Sequence, residues 1–199
     1  SNIFFLLRPR GTGKTTLLEL YFSRDQVYVI DLLESEQEDV FARKPSELMY
    51  QVNALSEEVE WVVIDEVQKV PKLLDIVHKL IETTDKKFAL TGSSARKLKH
   101  GVSNLLAGRA FINHLFPLTY SELGDSFNLL DVLKYGTLPK IYSFKTDLEK
   151  EEFLRAYSFT YLKEEIASEQ IVRKLDPFRN FLEIAAQANG MVLNYSKIA

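Results

Sequence analysis

The chain has 199 residues, 46% of them apolar and 27% charged, enough to bury the core of one or two ordinary domains. Its net charge of −3 gives no global attraction to nucleic acid or anionic lipid, and the lack of cysteine removes disulfides and thiolate metal sites. The longest early apolar run, Ile3 to Leu7, is far too short to cross a bilayer; a cytoplasmic protein with no signal peptide and no membrane partner is expected.

Short apolar runs alternate with helical patterns over the first 120 residues. Ile3–Leu7 reads as a buried strand, and Gly11 to Phe22 as a loop feeding a helix with Leu17, Leu18 and Tyr21 at helical spacing. Val27 to Asp31 is a second strand, Pro45 to Leu55 a helix, and Trp61 to Ile64 a third buried strand. Lys72 to Thr83 is amphipathic, with Leu73, Ile76, Val77, Leu80 and Ile81 on one stripe. Phe88 to Thr91 and Ala110 to Leu115 complete five strands. Continuous apolar strands separated by helices predict a doubly wound α/β domain, a parallel five-stranded sheet covered on both faces, whose ligands sit beyond the carboxyl ends of the strands.

After Pro117 the texture becomes helical, over Ser121 to Tyr135 and Leu148 to Asn189, with Gly136-Thr137-Leu138-Pro139 as a loop between. The expected organisation is a core over residues 1–117, a smaller helical domain over 118–190, and the start of a further segment over 191–199. Both ends read as cut, which suggests a fragment of a longer protein. The aromatic residues Phe153, Tyr157, Phe159 and Tyr161 read as core, and His78 as structural.

The segment Arg8-Pro9-Arg10-Gly11-Thr12-Gly13-Lys14-Thr15-Thr16 follows a strand and opens a helix, the context a Walker A phosphate loop requires. Successive backbone N–H groups of such a loop form an anion nest, and the helix N-terminus adds its positive end. Pro9 to Thr16 are therefore the candidate nucleotide-binding residues. Gly11 and Gly13 permit a close backbone approach, Lys14 would reach the β- and γ-phosphates, and Thr15 would supply a hydroxyl to Mg²⁺. Arg8 stands where the usual pattern has glycine; it could reshape the loop mouth or contact a phosphate or a neighbouring subunit.

Trp61-Val62-Val63-Ile64-Asp65-Glu66 has the form of a Walker B strand, with Asp65 placed 51 residues after Lys14. Asp65 would hold Mg²⁺ and Glu66 would act as general base toward water. Adjacent strand residues point to opposite faces, so the strand end must curl if both carboxylates are to serve one site. Thr91, Ser93 and Ser94 end the next strand in small hydroxyls that could orient water or sense the γ-phosphate, with Ser93 and Ser94 not separable.

Together these residues resemble the AAA+-like predicted P-loop ATPases of bacteria and archaea that carry a domain of unknown function behind the P-loop domain. The resemblance spans nearly the whole chain. It is carried by Pro9 to Leu18, Ile64 to Pro71 and Leu90 to Ser94, and then by Leu106-Ala107-Gly108-Arg109, Phe116-Pro117-Leu118-Thr119, Gly136 to Pro139 and Tyr161 to Ile166. It implies ATP rather than GTP as ligand and a winged-helix start at Asn194 to Ala199. It also implies a charge-stabilising role for Arg109, within the chain or on a neighbour's nucleotide; a surface or ion-paired arginine is the alternative.

The leading expectation is Mg²⁺-dependent ATP hydrolysis coupled to conformational change, with Lys14, Glu66, Ser93, Ser94 and Arg109 as the catalytic set. The alternative is a slow-turnover, nucleotide-gated switch that presents its C-terminal part to DNA or protein. Homo-oligomerisation is open in both. The basic run Arg96, Lys97, Lys99 and His100 reads first as a solvated helix face and second as a nucleic-acid contact.

Overall fold

The five apolar runs become five parallel strands: β1 (Ile3–Leu7), β2 (Val27–Asp31), β3 (Trp61–Asp65), β4 (Lys87–Gly92) and β5 (Phe111–His114). The computed structural model describes residues 2–7, 9–92, 110–162, 166, 172 and 174–190, without the side chains of Thr15 and Arg24. The strand order is β2-β3-β4-β1-β5, with every neighbouring pair parallel. This is the expected doubly wound α/β sheet.

The two-residue period of the strands explains how one sheet serves two apolar layers. Ile3, Phe5 and Leu7 of β1, Ile30 of β2, Val62 and Ile64 of β3, and Phe88 and Leu90 of β4 face one way. They pack against three helices: α2 (Ser35–Arg43), α3 (Glu47–Asn53) and α4 (Leu73–Thr83). The alternate residues Phe4, Val27, Trp61, Val63 and Ala89 face the other way, against Leu18 of helix α1 (Lys14–Tyr21) and Phe22. Trp61 centres that second layer, with its ring centroid 5.5 Å from Phe4 and 5.1 Å from Phe22.

Helix α4 follows its predicted stripe, with Leu73, Val77 and Leu80 buried and Ile76 and Ile81 half-buried against the core. Helix α2 has no counterpart in the sequence reading, for a physical reason. Its sequence, Ser-Glu-Gln-Glu-Asp-Val-Phe-Ala-Arg, has too few apolar residues to show a period, and Phe41 is the one buried side chain that ties it down.

Beyond β5 the described chain is helical, as its texture predicts. It contains α5 (Tyr120–Leu123), α6 (Leu129–Tyr135) and a 3₁₀ turn at Pro139–Ser143, then α7 (Asp147–Tyr161) and α8 (Leu175–Gln187). Both α5 and α7 start at a capping box, Thr119 with Glu122 and Thr146 with Glu149. The Thr119 backbone N–H and then its hydroxyl hold the Glu122 carboxyl below its ordinary range. At Glu149 the Thr146 hydroxyl leads and the backbone follows.

The chain forms two compact units, Ser1–Ser143 and Phe144–Ala199. Within the second, the rings of Phe153, Tyr157 and Tyr161 form a ladder along α7, with successive centroids 6.1 and 5.9 Å apart. Phe159 is not part of that ladder; it is exposed and lies under the Arg179 guanidinium at 5.7 Å. Among the described residues no helix is long and apolar enough to cross a membrane.

The core makes a direct prediction. Leu80→Ala removes a fully buried side chain and should destabilise the protein by about 2–5 kcal/mol in urea unfolding. Leu130→Ala, at a residue 76% exposed, should change stability by no more than about 0.5 kcal/mol.

Candidate phosphate-binding site

The loop after β1 is built on two left-handed glycines, Gly11 at φ 79° and Gly13 at φ 88°. Thr12, itself buried, donates its hydroxyl to the Pro9 carbonyl at 2.9 Å and closes the turn between them. Gly13 is the N-cap of α1 and contributes no side-chain cap, and the first turn of that helix holds no acidic residue. The first backbone N–H groups of α1 thus lack any local carboxylate, the arrangement that favours an anion.

Strand order determines what faces this loop. Because β4 lies between β1 and β3, the carboxyl ends of the three strands stand side by side, with Leu7 beside Gly92 and Ile64 beside Leu90. Lys14, Thr91 and Asp65, far apart in sequence, therefore converge. The Lys14 ammonium is buried and pairs with Asp65 Oδ1. Thr91 Oγ1, also buried, donates to the same carboxylate oxygen and accepts from Lys14 Nζ at 3.5 Å and from the Glu66 backbone N–H at 3.3 Å. One donor and two acceptor sites are all that a hydroxyl has, so Thr91 is fully committed to holding the other three.

The curl required of the β3 end is present. Glu66 has φ 55° and ψ 44°, the one non-glycine residue with positive φ among the described residues. That reversal turns Glu66 toward the side of the sheet end where Asp65 already is, and brings its Oε1 within 3.9 Å of Lys14 Nζ. Gln68 donates its amide to Glu66 Oε2, and Lys69 pairs with Glu38 of α2. Gln68 thus holds the Glu66 carboxylate, and Lys69 ties the loop after β3 to α2.

A cavity of about 600 Å³ opens here, lined by Arg10, Gly11, Gly13, Lys14, Thr16 and Glu66, and also by Leu33, Pro139, Lys140 and Ser143. Thr15 lies in the first turn of α1. Arg8, Ser93, Ser94, Arg109, the basic run 96–100 and the segment 194–199 fall outside the described residues. Among the described residues no group of three or more His, Asp or Glu side chains is gathered for a metal. The donor set nevertheless suits Mg²⁺, which takes one or two protein oxygens and completes its shell with water and phosphate. Sequence reasoning gave Leu33, Lys140 and Ser143 no role. They follow other elements, and no local motif ties them to a phosphate loop.

Residues 1–124 match the family model described as AAA domain. The chain belongs to the AAA domain family. It is a nucleotide-binding P-loop chain of the AAA type, and its residues 126–199 match a second model, Domain of unknown function (DUF8612). Uncharacterized proteins of Mycobacterium bovis and Mycobacterium tuberculosis are each 24% identical to this AAA chain over 199 residues, covering 99% of it and 43% of their own length. One of Haemophilus influenzae is 25% identical over 204 residues, covering 97% and 48%. The chain thus spans less than half the length of these relatives.

Two solved structures are loosely similar. The Aeropyrum pernix ORC1 protein, in complex with DNA, has TM-score 0.40 and 15% identity over 62% of this chain and 41% of that one. Domain III of the Thermotoga maritima replication initiation protein DnaA has TM-score 0.39 and 13% identity over 99% and 81%.

The strained position makes a prediction of its own. A left-handed backbone costs an ordinary residue about 1–2 kcal/mol that glycine escapes. Glu66→Gly should therefore be more stable than Glu66→Ala by about 1 kcal/mol in denaturant unfolding without nucleotide, the reverse of the usual order.

Proposed function

We propose that this AAA domain binds ATP as its magnesium complex and hydrolyses the β–γ phosphoanhydride. The observation that supports the reading best is the convergence of Lys14, Asp65, Glu66 and Thr91 at the mouth of a loop built to bind an anion. In this reading the amides of Gly11 to Thr15 cradle the phosphates and Lys14 moves from Asp65 to the β- and γ-oxygens. Asp65 and the Thr15 hydroxyl would hold Mg²⁺, which when bound neutralises charge on the phosphate oxygens. Glu66 takes a proton from a water whose oxygen attacks the γ-phosphorus; the bond to the β-bridging oxygen breaks, and ADP leaves carrying that oxygen. Gln68 keeps the Glu66 carboxylate aimed, and Thr91 keeps Asp65 fixed while its lysine partner leaves. Ser93 or Ser94, just past β4, would sense the γ-phosphate, and Arg109 would add positive charge from within the chain or from a neighbour.

A second reading, the slow nucleotide-gated switch, is favoured by one observation. Lys14 already has a buried partner in Asp65, so ATP must displace an ion pair before it is fully held. In that case the second unit would present itself to DNA or protein according to the nucleotide bound.

Two measurements test the proposal on the full-length protein. Saturating Mg·ATP at a hundred times its dissociation constant should stabilise the fold by about 2.7 kcal/mol, and Lys14→Ala should abolish that gain. Glu66→Gln should retain ATP binding and lower phosphate release by about 10²-fold or more. Equal release from variant and wild type would remove Glu66 from its role. Slow release by the wild type, with nucleotide-dependent partner binding, would select the switch.

A further inference from the structure

The segment Gly136 to Ser143 has no part in the reading so far, yet it forms a wall of the same cavity. A Cβ built on Gly13 would stand 3.6 Å from Cγ of Pro139, so the proline ring lies against the last glycine of the phosphate loop. Lys140 follows it and lines the cavity with Gly11, Gly13 and Lys14. The segment is anchored. Leu118 donates its N–H to the Thr137 carbonyl and Ile141 to that of Leu138, both at 2.9 Å, and Tyr135 before the turn and Ile141 within it are buried.

We propose that Lys140 is a ligand for the nucleotide's phosphates, so that the polyphosphate is held by the loop on one side and by the Pro139–Ser143 turn on the other. The inference rests on the nucleotide reading above and adds a residue to it. Charge supports it: counting Asp65, the partner of Lys14, the three cations Arg10, Lys14 and Lys140 stand against two carboxylates, Asp65 and Glu66, an excess of cations that suits a polyanion. Chemistry supports phosphate over base. An ammonium is a compact point charge with three donors and no flat face, and it follows directly on the residue packed against Gly13, where the loop amides converge.

The placement has a consequence for coupling. The turn runs directly into Phe144, where the second compact unit begins, and residues 139–143 fall within the match to the second family model. A contact to phosphate at Lys140 therefore reaches the second unit through three further residues of chain.

The test is a titration of the full-length protein with ATP, ADP and AMP at saturating Mg²⁺. Lys140→Ala should weaken ATP and ADP about tenfold, the loss of one charge-assisted hydrogen bond, and should flatten the salt dependence of binding. Lys140→Arg should stay within about threefold of wild type. A second readout needs no variant: acetic anhydride labelling of the wild type, mapped by mass spectrometry, should show Lys140 protected by ATP and not by adenosine. Wild-type affinity in Lys140→Ala, or equal labelling of Lys140 with and without ATP, would overturn the inference and leave the nucleotide reading intact. A wild-type protein that binds none of the three nucleotides would end the nucleotide reading itself.

Discussion

A buried ammonium is the constraint around which this AAA domain is arranged. Lys14 is 3% exposed, and a charge so far from water must be paired, because removing the partner of a buried ion pair costs about 3–5 kcal/mol. Asp65 is that partner, and it is available because β4 separates β1 from β3 by a single strand width and because Ile64 stands beside Leu90. A one-residue slip of β3 would turn Asp65 to the opposite face of the sheet and put Ile64 or Glu66 in its place. The register of the sheet and the conformation of the loop are therefore conditions for one another. The groups that satisfy each other here are also those that a polyphosphate and its metal would claim under the proposed function, which would make binding an exchange of partners.

The same economy governs the backbone. Gly11 and Gly13 accept left-handed conformations at no steric cost, and they do so where the chain must present its amides outward. Glu66 accepts one too, but as a residue with a Cβ. Strain of this kind persists where the surroundings over-determine it, and they do at this position: the Thr91 hydroxyl holds its N–H and the Gln68 amide holds its carboxylate. An ordinary strand end would have placed Asp65 and Glu66 on opposite faces, so the unfavourable torsion is what brings two consecutive acids to one lysine.

Much of this could be read from the chain because the information is local. Ile3 to Leu7 and Val27 to Asp31 are apolar runs bounded by turn residues, and the strands match them. The loop from Pro9 to Lys14 is defined by glycine spacing between a strand and a helix. Helix α2 left no such trace, since one buried phenylalanine suffices to hold it. The roles of Gln68 and Lys69 depend on Glu66 and Glu38, one reached through a curled strand end and the other across a crossover. Thr91 was visible as a polar strand terminus, but its position between lysine and aspartate depends on strand order, which no single segment encodes.

The boundary between the two parts of the chain carries the last step. The AAA match ends at residue 124 and the second match begins at 126, whereas packing divides the chain between Ser143 and Phe144. The residues from 126 to 143 fall within the second match and within the first compact unit. Tyr135 and Ile141 in this stretch are 4% and 2% exposed, and full burial of an isoleucine side chain is worth roughly 1.5–3 kcal/mol. A domain cut at 124 would lose them, and with them the proline that lies against Gly13. The phosphate loop thus has as its neighbour a proline from the stretch that the second family model matches.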